Sequence, residues 1–64
     1  MKSYYVNNNG DHEVHKEGCE RLKMVLSKTY LGVFNNCEDA VREAQKTYSN
    51  ADGCFYCSRE CNKH

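Results

Sequence analysis

A histidine and three cysteines fall into two closely spaced pairs, His15-x3-Cys19 and, after 34 intervening residues, Cys54-x2-Cys57. Zinc takes four nitrogen or sulfur donors in a tetrahedron, and a closely spaced pair lets one local loop supply two of them. A Cys-x2-Cys knuckle turns both sulfurs toward one point, with backbone N–H groups near enough to stabilise the thiolates. His15 and Cys19 do the same where a hairpin strand runs into the segment after it. The set His15, Cys19, Cys54 and Cys57 is therefore read as the ligands of a single structural zinc ion (Zn2+), closed and without a position for water. Read alone, Cys54-x2-Cys57 would also suit a redox pair, but the βαβ context of such pairs is missing and Cys61 stands close by.

Two cysteines remain. Cys37 falls at the first turn of the main predicted helix, where a helix N-terminus lowers a thiol pKa, yet no histidine adjacent in sequence could serve as its base. The spacing Cys57-x3-Cys61 would let Cys61 replace a ligand, although Cys54-x2-Cys57 is the tighter knuckle. A thiol redox protein, or a nucleophile at Cys37 or Cys61, stays open as a competing reading. His12 is expected on the strand face of Val14, at its rim, and the terminal His64 carries no signal.

Several elements must hold these ligands. Tyr4-Tyr5-Val6 is β-prone and Asn9-Gly10 suits a two-residue type I′ turn, which pairs Tyr5 with Val14 and Val6 with Glu13. The three consecutive asparagines also admit a longer loop. Between His15 and Leu26, the i, i+3, i+4 repeat of Leu22, Val25 and Leu26 predicts a short helix. Tyr30–Phe34 reads as a strand, with Gly32 at a bulge or close approach. Asn36 stands as a cap three residues before Asp39. A longer helix is then predicted over Cys37–Tyr48, with Ala40, Val41, Ala44 and Tyr48 on its inner face. Residues 49–53 read as a turn, and the tail as a cysteine segment with one closing helical turn. The fold class expected is a small α+β zinc-stabilised domain, with an N-terminal β-hairpin, a third strand, one short and one longer helix, and a single zinc site.

The composition explains why a staple is needed. The 64 residues allow one domain, 1–64, with no room for a second. Of the 39% hydrophobic residues, five are Tyr and five Cys, against three Leu, five Val, two Phe and no Ile or Trp. A domain of this size with so thin a core is marginal without a disulfide or a metal. Nine Lys and Arg balance nine Asp and Glu, and the mean hydropathy is −0.92. These figures exclude a large enzyme core, a membrane span and a strongly basic nucleic-acid tail. Charges of both signs among many aromatics and cysteines are not the pattern of a disordered chain. No apolar run has the length of a signal peptide, so a cytoplasmic location is expected. Cytosolic thiols stay reduced, and an odd number of cysteines suits metal ligation better than a disulfide framework.

The order of these features carries a resemblance. Val14-His15-Lys16-Glu17-Gly18-Cys19-Glu20-Arg21-Leu22-Lys23, then Val33-Phe34-Asn35-Asn36-Cys37-Glu38-Asp39-Ala40, then Gly53-Cys54-Phe55-Tyr56-Cys57 resemble the small Ada-type metal-binding domain over residues 3 to 58. One form of that family has four zinc cysteines, the first of which accepts a methyl group from a DNA phosphotriester. A second form has His at that position and is appended to bacterial nucleases and metallo-hydrolases, with no assigned chemistry of its own. The resemblance places His15 at the acceptor position. A zinc-bound imidazole keeps no free lone pair, whereas a zinc thiolate does, so methyl transfer is not expected. The Gly-Tyr-x-Pro that usually precedes the last cysteine pair is replaced here by Ser49-Asn50-Ala51-Asp52-Gly53.

The first functional expectation is a non-catalytic zinc module, not an enzyme, monomeric and away from membranes, whose surface binds a protein or nucleic-acid partner. The second is a weak, sequence-independent DNA-binding module. Residues 15–30 hold Lys16, Arg21, Lys23 and Lys28 against Glu17 and Glu20, a local excess of two charges that gives only shallow salt dependence. Tyr4, Tyr5, Tyr30 and Tyr56 are available to stack on bases, or to serve as core and rim.

Overall fold

Alternation along the first strand sets which side of the sheet is core and which is site. The structure, a computed structural model, describes residues 1–63, and His64 lies outside them. Strands β1 (Lys2–Asn7), β2 (Glu13–Lys16), β3 (Lys28–Phe34) and β4 (Asp52–Gly53) form one mixed sheet in the order β3-β1-β2-β4. The single helix α1 (Cys37–Ala44) packs on one face. Tyr4 and Val6 of β1 and Val14 of β2 are buried there with Ala40, Val41 and Ala44 of the helix. Tyr5 and its cross-strand partner His15 point to the other face.

The hairpin register differs by one residue from the one a two-residue turn would give. Val6 pairs with Val14 and Tyr5 with His15, joined by the longer loop 8–12, in which Gly10 and His12 take positive φ values of 64° and 55°. A slip of one residue exchanges the faces of every side chain in β2. The observed register puts Val14 under the helix and leaves His15 for the site. The loop is held from outside the hairpin. His12, expected at the rim of the strand, lies in the loop with its ring stacked on Tyr48 at 3.9 Å, and the Tyr48 hydroxyl donates to Asn8 Oδ1 at 2.9 Å.

β3 starts two residues earlier than expected and contains the bulge anticipated at Gly32. Tyr4 pairs with Gly32 but Tyr5 with Tyr30, leaving Leu31 unpaired, and Gly32 has φ 123°. The short helix expected between His15 and Leu26 is absent, replaced by a 3₁₀ turn at Leu22–Met24. Its apolar stripe is only partly used: Leu22 and Val25 are half-buried, while Leu26 is 99% exposed.

The capped helix begins as expected, with the Asp39 N–H donating to Asn36 Oδ1 at 2.9 Å. It ends at Ala44 rather than Tyr48, because the chain tightens into short-range bonds from Lys46 to Glu43 and from Thr47 to Ala44. Thr47, Tyr48, Ser49 and Asn50 are poor helix formers, and Tyr48 is committed to the hairpin loop. Replacing Asn36 by Ala is expected to lower the unfolding free energy by about 1 kcal/mol in urea titrations.

Residues 49–53, expected to be only a turn, end in a strand. Asp52 and Gly53 run parallel to β2, opposite Glu13 and Val14, and the Cys54 N–H donates to the Val14 carbonyl at 2.9 Å. Gly53 allows a close approach, since a Cβ there would lie 2.6 Å from both Cys61 Cβ and the Ser58 carbonyl oxygen. A Gly53→Ala variant must push the closing 3₁₀ turn Arg59–Cys61 away from the sheet, and we expect destabilisation of about 1–3 kcal/mol, read as a lowered Tm.

The expectation of reduced thiols at Cys37 and Cys61 is overturned. They form a disulfide with Cα atoms 6.3 Å apart, joining the first turn of α1 to that closing turn inside the buried core. Such a bond forms and persists in oxidising surroundings. Spacing gave no hint of it, because the pair is 24 residues apart and meets only when α1 lies across the sheet. Among the described residues, no helix is long and apolar enough to cross a membrane.

Candidate metal centre

The parallel pairing of β4 with β2 builds the centre. It lays the chain entering Cys54 alongside the strand that carries His15, so the two ligand pairs meet although 34 residues separate them. One donor atom from each of His15, Cys19, Cys54 and Cys57 lies within 4.8 Å of every other. The Cys19 sulfur is 3.8 Å from His15 Nδ1 and 3.9 Å from the Cys54 sulfur. His15, Cys19 and Cys54 are buried and Cys57 is half-buried. All three cysteines are free of disulfides. The four residues singled out by spacing are thus brought together, and Cys37, Cys61 and His12 are not among them.

Backbone amides surround the sulfurs. The Lys16 N–H donates to Cys57 Sγ at 3.3 Å and the Tyr56 N–H to Cys54 Sγ at 3.4 Å. The Arg21 and Leu22 amides favour the Cys19 thiolate, and the Leu22 N–H donates to the Cys19 carbonyl at 3.1 Å. These amides are invisible to a reading of side-chain types, although the Cys-x2-Cys spacing itself implies one of them. A second buried polar group, Ser58, places its hydroxyl 3.8 Å from Cys57 Sγ and carried no signal in the sequence.

No family model, curated protein or solved structure matches this chain.

The electrostatics of the centre are those of a site that a cation would complete. Burial holds the His15 imidazole below its ordinary pKa, so it is neutral and able to offer a lone pair. Burial also pushes Cys57 up to about 12, reinforced by the hydrogen bond its thiol donates to Cys19 and by nearby Cys54. Cys19 goes the other way. Burial alone would raise it, but hydrogen bonds from Cys57, from the Arg21 and Leu22 amides and from Cys54 outweigh that and leave it lowered. Three thiols this close do not all ionise unaided; a divalent cation supplies the charge that lets them.

Proposed function

We propose that His15, Cys19, Cys54 and Cys57 hold one zinc ion in a closed, structural site, and that the domain is a non-catalytic module serving to bind a partner. The observation that carries this reading is the donor geometry. A tetrahedral ion with bonds of about 2.3 Å to sulfur and 2.0–2.1 Å to nitrogen has donors about 3.8 and 3.6 Å apart. The separations of 3.9 Å between the Cys19 and Cys54 sulfurs and 3.8 Å between Cys19 Sγ and His15 Nδ1 are close to those of that cage, and the remaining donors, all within 4.8 Å, need to close by at most about 1 Å. Amide donors already directed at the Cys54 and Cys57 sulfurs would offset thiolate charge and orient the ligands.

Four protein ligands leave no open position at which water or substrate could be activated, which supports a structural role. The same donor order is implied by the resemblance to the His form of the Ada-type domain, and an imidazole in the first position leaves no acceptor thiolate there. A nucleophile at Cys37 or Cys61 is not favoured, since both sulfurs are bonded to each other and buried.

The test is metal content by mass spectrometry, with cobalt substitution as an optical probe. One zinc per chain and the intense visible absorption of a tetrahedral cobalt–thiolate site are expected. A chain that holds no metal, or cobalt spectra of an octahedral oxygen site, would overturn the reading. Because the ligands must shed protons to bind, acidification should release the ion. Apparent affinity is expected to fall by about 100- to 1,000-fold for each unit of pH below neutrality, read by competition with a chromogenic chelator. A flat profile would contradict thiolate ligation.

A further inference from the structure

The two residues between the knuckle cysteines are aromatic, and both face solvent. Tyr56 is 67% and Phe55 45% exposed, with ring centroids 5.4 Å apart, edge to face. Their direction follows from the turn. The Tyr56 amide faces inward to the Cys54 sulfur, so the side chains of the x2 positions are thrown outward. A guanidinium lies over one face of each ring, Arg21 at 4.1 Å from the Tyr56 centroid and Arg59 at 4.9 Å from that of Phe55. Among the described residues neither arginine forms a salt bridge; the ion pairs join Glu20 to Lys23, Asp39 to Arg42 and Glu43 to Lys46.

Resting on the zinc reading, which fixes the knuckle, we infer that Arg21, Tyr56, Phe55 and Arg59 form a binding surface for single-stranded nucleic acid. Unpaired bases can stack on the exposed ring faces or on the guanidinium planes over them, and the same guanidiniums offer bidentate donors to the intervening phosphates. The pairing of flat apolar faces with unneutralised cations selects among anionic partners. A duplex hides its base faces in the stack, and two cations are few for gripping its backbone. An acidic peptide would satisfy the guanidiniums but bring nothing flat to the rings.

The experiment is fluorescence anisotropy of short labelled oligonucleotides titrated with zinc-loaded protein at low salt, with metal content measured on every sample. Single strands are expected to bind at least about tenfold more tightly than the matching duplex or a polyglutamate peptide. Tyr56→Ala and Phe55→Ala should each weaken binding by about tenfold, while Tyr56→Phe keeps it. Between about 50 and 200 mM salt the log–log slope should be about −1.4, for two phosphates, and should flatten in an Arg21→Ala/Arg59→Ala variant. Equal binding of duplex or polyglutamate, indifference to both ring deletions, or no binding at about 1 mM protein with one zinc per chain overturns this inference and leaves the metal centre standing. Absence of zinc from the unmodified protein overturns the centre itself, and with it the surface. Both rings are exposed, so the alanine variants are expected to keep the fold, and the salt slope and strand preference, read on the unmodified chain, test the surface independently of them.

Discussion

Stripped of its metal by a strong chelator, the chain is expected to lose its cooperative thermal transition and regain it when zinc is returned. The largest fully buried side chains are Val6, Val14, Cys54 and Ser58, and one of these is a proposed ligand. A domain of 64 residues has a net stability of only about 3–10 kcal/mol. Zinc binding to a thiolate site is worth about 10–16 kcal/mol near neutral pH, so its loss exceeds the whole margin. Cys54→Ser should reproduce the loss without a chelator, because Cys54 is wholly buried and its sulfur is one of the four proposed donors. Far-UV circular dichroism against temperature, with and without chelator, reads the effect. A chelated sample that melts cooperatively at an unchanged temperature would show that the apolar core suffices and that the cluster is not what stabilises the fold.

Breaking the disulfide is expected to cost less and to leave the metal in place. Cross-linking residues 24 apart restricts the unfolded chain by about 3 kcal/mol in the chain-entropy account. Replacing both Cys37 and Cys61 by Ala should therefore lower the unfolding free energy by about that amount in urea, with excess zinc present. The steepness of the transition should rise as the freed chain exposes more surface. Zinc stoichiometry should stay at one, since neither sulfur belongs to the cage. Loss of zinc from this double variant would mean that the closing turn, and not the four ligands, sets the geometry of the site.

The site was more legible in the sequence than the fold that carries it. Ligand spacing is a local property, and both pairs are read without knowing what lies between them. The Asn36 cap and the Gly32 bulge were legible for the same reason, each needing a residue type at a fixed offset. What escaped was set by distant partners. The hairpin register depends on Tyr48 stacking on His12 from beyond the helix. The stripe of Leu22, Val25 and Leu26 has helical spacing, but only Leu22 and Val25 are half-buried and Leu26 faces solvent. The Cys37–Cys61 bond depends on where α1 lies across the sheet, and the two-residue strand β4 has too few residues for any periodicity.

The disulfide and the proposed metal ligands alternate along the chain, with Cys37 between the two ligand pairs and Cys61 beyond both. With the ion in place the cross-links interlock instead of nesting. Pulled from its ends, the chain could pay out only residues 1–14 and 62–64, because residues 15–61 lie within closed loops. A protease cutting once anywhere between Cys19 and Cys54 would leave both pieces joined. After chelation, a cut before Cys37 would release the N-terminal piece, whereas a cut after it would not, so the order in which fragments separate would report which fastening has been undone.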